Sequence, residues 1–449
     1  MKNVDTVVKG GRLVSPQGII EAGIAIEDGK IVAIAKDTNL PRANTVIDVN
    51  GNFIIPGVVD DHVHAFQHED FLSCSKAAAA GGVTTIMDHP IMPPTTTTTH
   101  ALKEKKRLCK EQSLVDFALY GGALSTNLDD MPKLVEAGVV GFKTGLCDIV
   151  KSIFPRLNDA EILEVFKRVR EIGSGVGVHA ENDEIITYLT EKLQKSGRVD
   201  PLAHGESRPV IAELEATSRA ILLAAEAGNR LHIFHMSIAS GADLVQRAKA
   251  GGQAVTAETC PHYLVLNEDH VKELKAYGKM NPPIRSKEEV EKLWKALREG
   301  KIDNIASDHA PWPKEEKDKG DENIWNAPGG FPGIQSMLTL MLNEGVNKGR
   351  ITLESLVALV CENPARIWKI YPQKGAIQLG SDADLTIVDL KREGVLRADK
   401  EYTRVGWTTY EGWRVKGFPV LTIVRGNVVA EDDAAVGKPG LGEFVRPLH

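Results

Sequence analysis

No run of apolar residues in this sequence approaches the ~20 that a membrane span needs, which argues against a membrane protein. The first residues, Met1-Lys2-Asn3-Val4-Asp5, lack the apolar stretch and small-residue cleavage site of a secretory signal. No C-x-x-C pair occurs among the five scattered cysteines, Cys74, Cys109, Cys147, Cys260 and Cys361. An odd, dispersed set predicts reduced thiols and a cytoplasmic protein, not a disulfide framework. Positive charge is in deficit: 54 Lys+Arg stand against 61 Asp+Glu, for a net charge of −7. That balance leaves no electrostatic footprint for nucleic acid. Tandem repeats and long linkers are missing too. The one low-complexity patch, the threonine run 95–99 after Pro93-Pro94, reads as a loop leading into a helix.

What is present is ordinary for a globular protein: 42% hydrophobic and 26% charged residues. A length of 449 residues suits a large barrel plus an accessory domain. Residues 4–55 have β texture, with Ile24-Ala25-Ile26 and Ile31-Val32-Ala33-Ile34 flanking the Asp28-Gly29 hairpin signal. The same texture returns in 384–389, 420–424 and 428–430. One small β domain built from both termini, 1–55 plus 376–449, is expected; two separate β caps are the alternative. Between them, in 56–375, short β-branched runs alternate with amphipathic stretches such as 101–111, 160–172, 183–195 and 288–299. Roughly eight such units point to a (β/α)8 TIM barrel.

The ends of these β-branched runs carry the chemistry. Phe53-Ile54-Ile55-Pro56 leads into Gly57-Val58-Val59-Asp60-Asp61-His62-Val63-His64, read as a buried strand leaving the core. Side chains at i and i+2 share a face, so His62 and His64 project together. Alone, H-x-H suits two packed histidines as well as a metal site. Yet Val139-Val140-Gly141-Phe142 ends at Lys143, and Val176-Gly177-Val178 ends at His179. Likewise Leu231-His232-Ile233-Phe234 ends at His235, and Asn304-Ile305-Ala306-Ser307 ends at Asp308. Each falls at the carboxyl mouth of the expected barrel, where such folds keep their active sites. His62, His64 and Asp308 would hold one divalent ion, and His179 and His235 a second. Lys143 cannot ligate as an ammonium, but CO2 would convert it to a carbamate able to bridge two cations. A bridging hydroxide would then be the nucleophile.

Pro56-Gly57-x-x-Asp60-x-His62-x-His64, Gly141-Phe142-Lys143, Val178-His179-Ala180-Glu181-Asn182 and His235-x-Ser237 stand in order along the chain. Glu258-x-Cys260-Pro261-His262-Tyr263 and Ser307-Asp308-His309 follow. Together they resemble the cyclic amidohydrolases: the hydantoinases, dihydropyrimidinases, allantoinases and dihydroorotases. The likeness spans nearly the whole chain, including Gly380-Ser381-Asp382-Ala383-Asp384-Leu385 at the return into the β domain. It implies a binuclear, usually zinc, centre held by His62, His64, Lys143, His179, His235 and Asp308, with N6-carboxylated Lys143 bridging. It also implies that Asp308 shuttles a proton to the departing ring nitrogen. Backbone at Asn281 and Gly329 would hold the imide of a small cyclic amide or ureide. The family's usual assembly is a homotetramer or dimer.

Departures from the family pattern narrow the choice. Dihydroorotases usually carry an arginine shortly after H-x-H, where this chain reads Ala65-Phe66-Gln67-His68. Dihydropyrimidinases and D-selective hydantoinases place a tyrosine about five residues past the bridging lysine; Thr144–148 has none. L-type hydantoinases and allantoinases remain, with ring opening of a hydantoin to an N-carbamoyl amino acid as the first expectation and allantoin hydrolysis as the second. His68 and His89 fit neither group's pattern and are candidate pocket residues. A metal-free scaffold would show broken ligands, and all six are intact. Deaminases and amino-sugar deacetylases are disfavoured by Gly141-Phe142-Lys143.

Overall fold

The computed structural model describes residues 3–148 and 152–448. Residues 1, 2 and 449 of the expected β domain, and 149–151 of the expected barrel, lie outside the described residues. The barrel strands are Val58–Val63, Val83–Asp88, Asp116–Leu119, Phe142–Gly145, Gly175–His179, Arg230–Ile233, Val255–Thr259 and Asn304–Ile305. All pairings between neighbours are parallel, placing Phe117 beside Ile86, Lys143 beside Gly177 and Gly177 beside His232. Gly121–Gly122 joins the third strand to the fourth. The ring closes where Val63 bridges His309 and His64 N–H donates to the His309 carbonyl at 2.9 Å. Runs such as Val58-Val59 and Val83-Thr84-Thr85-Ile86 favour this extended backbone, because two heavy atoms on Cβ restrict χ1.

Side-chain caps start the helices between strands. Asp70 accepts from Ser73 N–H ahead of Phe71–Ala80, a helix the sequence texture did not mark. Asn158 and Glu161 form a capping box at Asp159–Glu171, and Ser286 caps Lys287–Arg298. Among the described residues no helix is long and apolar enough to cross a membrane.

Both termini build a β-sandwich. One sheet runs through Arg12–Ser15, Gly18–Glu21 and Phe53–Pro56 from the amino end, and Leu385–Val395, Arg414–Val424, Asn427–Glu431 and Ala434–Ala435 from the carboxyl end. The other holds Val4–Lys9, Gly23–Glu27, Lys30–Ala35 and Ala43–Asp48. Val8, Ile24, Ile31, Ile54, Leu385 and Ile423 pack between them. The two ends thus share one core, not two separate caps.

Two strand readings need correction. Phe53–Pro56 is not the start of the first barrel strand: it pairs with Leu385–Val388 of the tail. The chain crosses into the barrel at Gly57, where a Cβ would fall 2.1 Å from Thr84 Oγ1. The fourth barrel strand begins at Phe142 and does not end there, so Lys143 lies within the ladder, beside Gly177.

Candidate functional site

His62 sits at the carboxyl end of its strand and His64 just beyond it, their rings 5.4 Å apart. Lys143 reaches across from the fourth strand, with Nζ 3.1 Å from His62 Nε2. Asp308 Oδ1 lies 3.2 Å from His62 Nε2 and 3.5 Å from His64 Nε2. The His235 ring is 5.1 Å from that of His62 and 4.5 Å from that of His179. Six buried side chains from five separate stretches therefore meet at one end of the barrel. His235 and Asp308 hold left-handed backbone, at φ 41° and 46°, a conformation costing roughly 1–3 kcal/mol each for such residues.

Carboxylates behind the imidazoles set their tautomers. Glu258 accepts from His62 Nδ1 and, at 3.0 Å, from the His235 backbone N–H, while its other oxygen lies 3.2 Å from His232 Nε2. The Nε2 lone pair of His62 is thereby turned toward Lys143 and Asp308. Glu181 acts likewise on His179, 2.8 Å from its Nε2, and is itself held by Arg208. Phe234 forms the floor, its ring 4.8 Å from His62 and 5.0 Å from Lys143 Nζ. Only glycine fits at 177, since a Cβ there would lie 2.0 Å from that ring.

Burial brings the Lys143 ammonium down to about 8, although Asp308 and Glu258 favour its charge. Burial also pushes His62, His64 and His235 below the ordinary imidazole range, leaving neutral lone pairs. For Asp308, burial favours the neutral acid. The hydrogen bond to His64 and the charges of His235, His64 and Lys143 outweigh it and hold the carboxyl well below its usual range.

This donor set fits divalent metal. The ligand atoms of His62, His235 and Asp308 lie within 4.8 Å of one another. Nδ1 of His64 and of His235 is buried without a hydrogen-bond partner among the described residues. Neutral imidazoles such as His62, His64 and His235, with a carboxylate, are borderline-to-hard donors suited to zinc and its neighbours. At His179 burial favours the neutral ring, but Cys147 and Glu181 outweigh it and raise it to about 9, so this ring gives up a proton on ligating.

A cavity of about 330 Å³ opens over these groups, with His64, Lys143, His179, His235 and Asp308 in its wall. Its size suits one small ring ligand. Asn281 and Gly329 line it as well. Asn281 Oδ1 is buried without a partner among the described residues, and the Gly329 carbonyl accepts from Trp312 Nε1 at 2.9 Å. Ile91, Met92 and Trp312 add an apolar wall, and Arg208 a cation. His68 and His89 are not among the lining residues. His89 stacks behind His62, and His68 packs on Trp312 with ring centroids 4.4 Å apart.

The sequence reading gave no role to Glu181, Glu258, Arg208 or Trp312. The two acids did carry a signal, because both stand at strand ends as the histidines do. Arg208 and Trp312 lie in irregular backbone, where no periodicity marks a side chain's direction.

The pattern of the amidohydrolase family matches residues 53–429. An L-hydantoinase of Paenarthrobacter aurescens is 43% identical over 447 residues, covering 98% of each chain. An allantoinase of Solibacter usitatus is 38% identical over 451 residues, covering 99% of this chain and 97% of its own. Among solved structures, an L-hydantoinase (dihydropyrimidinase) from Arthrobacter aurescens superposes with a TM-score of 0.97 at 42% identity. It covers 99% of this chain and 100% of its own.

Proposed function

Because this chain belongs to the amidohydrolase family, we propose that it opens the ring of a hydantoin to give an N-carbamoyl amino acid. The observation that carries this reading is the convergence of His62, His64, Lys143, His179, His235 and Asp308 at the inner end of one cavity. We assign His62, His64 and Asp308 to one divalent ion, His179 and His235 to a second, and N6-carboxylated Lys143 to the bridge, with zinc as the metal. Such ions, when bound, supply Lewis-acid polarisation of an amide carbonyl and water acidic enough to attack near neutral pH.

The chain's own residues do the rest. Burial of Lys143 leaves part of its amine unprotonated, the form that adds to CO2. Asp308, kept as a carboxylate, takes the proton of the attacking water and delivers it to the ring nitrogen as the C–N bond breaks. Backbone at Asn281 and Gly329 holds the imide edge, while Ile91, Met92 and Trp312 receive an apolar substituent. Glu258 and Glu181 keep the imidazoles in the ligating tautomer.

The test is a ring-opening assay over hydantoin, 5-substituted hydantoins of both hands, allantoin, dihydrouracil and dihydroorotate, run beside metal analysis. A substituted L-hydantoin as best substrate, with activity lost to a chelator and restored by zinc, manganese or cobalt, supports the reading. Turnover of dihydroorotate alone overturns it. Allantoin hydrolysis is the second reading, favoured by the polar Arg208 and Gln67 in the cavity wall and by the allantoinase relative. We further read the chain as a cytoplasmic homo-oligomer of two-domain subunits, 1–55 plus 376–449 and 56–375. Five buried, unpaired cysteines and the exposed Val210, Ile211 and Leu222 of one helix support this; light scattering measures the assembly.

A further inference from the structure

Two lysines near the cavity are buried with no acid to pair with among the described residues. Lys317, on the short helix Lys314–Asp318, has no exposed surface. Its Nζ donates to the carbonyls of Pro328 at 3.0 Å and Gly330 at 3.1 Å, and lies 3.5 Å from the Lys279 carbonyl. Lys279 Nζ donates to the carbonyls of Ile324 at 2.8 Å and Ala327 at 2.6 Å. Among the described residues neither ammonium forms an ion pair. Burial pushes Lys279 down to about 8 and Lys317 well below the lysine range, and the Lys279 charge adds to the effect on Lys317. Burying two amino groups with no counter-ion is unfavourable, and here only carbonyl dipoles offset it. A hydrophobic side chain would fill the same space at lower cost, so stability alone does not account for the pair.

What the carbonyls have in common is their place. Lys279 lies two residues before Asn281, and residues 324–330 end at Gly329 and Gly330, so the bonded segments flank both backbone positions assigned to the imide. Gly330 N–H donates to the Lys279 carbonyl at 2.9 Å, tying the two segments directly. Trp312 Nε1 holds the Gly329 carbonyl, and Trp407 Nε1 in turn holds the Trp312 carbonyl at 2.8 Å. Lys317 Nζ stands 5.6 Å over the Trp407 ring. We propose that Lys317 and Lys279 are positioning residues: their side-chain amino groups clamp the 279–281 and 324–330 segments together and so fix the substrate-holding backbone at Asn281 and Gly329.

The inference rests on reading Asn281 and Gly329 as the imide-holding pair, so its test has one arm that needs no substrate. Hydrogen exchange is followed in full-length wild type, Lys317→Met and Lys317→Arg, each loaded with zinc. Faster exchange at the Gly330 amide in Lys317→Met, with barrel-strand amides unchanged and Lys317→Arg close to wild type, supports the clamp. Unchanged exchange at Gly330 overturns it, whatever ring the wild type opens. The second arm uses the best ring substrate of the wild type. Lys317→Met is expected to raise KM by about tenfold while kcat falls by no more than about threefold, because the loss is in holding substrate and not in the chemistry. Lys279→Met is expected to do the same, with metal content unchanged in both. Faster exchange with an unaltered KM overturns the link to substrate. Loss of bound metal together with kcat overturns it as well, since that marks a general structural defect.

Discussion

His89 lies face to face on His62, the ring centroids 3.8 Å apart and the planes 10° from parallel. Its Nε2 is 3.3 Å from the Asp61 carbonyl, and its edges meet Tyr120 and Phe234. It therefore braces a proposed metal ligand from behind and does not line the cavity. His89→Ala should weaken metal binding by about tenfold, the usual scale for an outer-shell partner, and leave the substrate profile unchanged. A shifted substrate profile with unaltered metal affinity, measured by titration against a competing chelator, would refute this.

Glu258 serves His62, His235 and His232 at once from a fully buried position. Glu258→Gln puts a donor where His62 Nδ1–H needs an acceptor, or leaves that N–H sharing a weaker carbonyl. Metal affinity should fall by roughly 10- to 100-fold, read as zinc retained after dialysis against a chelator. Full retention of zinc would show that the imidazole needs no such support.

Gly177 leaves room for Phe234, the ring beneath both His62 and Lys143. Gly177→Ala should cost about 3 kcal/mol, at the upper end of overpacking effects, and lower activity by displacing the floor. Shortening the ring in a Gly177→Ala/Phe234→Leu double variant should recover part of the stability. Urea midpoints that simply add would sink the idea of direct conflict.

Lys374 joins the barrel to the sandwich. Its buried ammonium meets Asp116 of the third barrel strand, Asp384 at 2.7 Å and Asp382 at 3.0 Å. Lys374→Met leaves these carboxylates without their shared cation and should cost about 3–5 kcal/mol. Denaturation of the variant at neutral pH checks the size, and a loss below 1 kcal/mol would contradict it.

His204 gives a pH dependence with a definite sign. Burial first, then the charges of Lys279 and Arg208, hold its imidazole well below the usual 6.5, and its Nε2 bonds the Met280 carbonyl at 2.9 Å. The unfolded chain takes up a proton as pH falls through about 6.5, while folded His204 stays neutral. Its contribution to stability is therefore present above that pH and lost below it. His204→Gln should lose about 1–2 kcal/mol less than wild type between pH 7 and pH 5. Equal losses in the two proteins, from urea titrations at both values, would count against the assignment.

Much of this architecture was written in local patterns. Alternating β-branched and amphipathic stretches announced the barrel, because strand and helix periods are properties of a few neighbouring residues. The Asp28-Gly29 hairpin formed as expected, between Gly23–Glu27 and Lys30–Ala35. His62, His64, His179, His235 and Asp308 were each marked by a position at or just past a strand's end, and Lys143 by an apolar run that precedes its strand; the structure brings all six together. The break at Pro56-Gly57 was misread because an apolar run looks the same on either side of a domain crossing.

Other features were not legible, for a physical reason. Whether His89 faces substrate or stacks behind His62 depends on barrel closure and ring packing, which no spacing along the chain encodes. The bond that sets the His62 tautomer joins residues 196 positions apart, His62 and Glu258. Nothing in the sequence marks Lys279 or Lys317, and both are buried against backbone carbonyls of 324–330 in the folded chain. Chain order thus dictated which side chains would stand at the barrel mouth. Long-range packing dictated which way each one points and what holds it there.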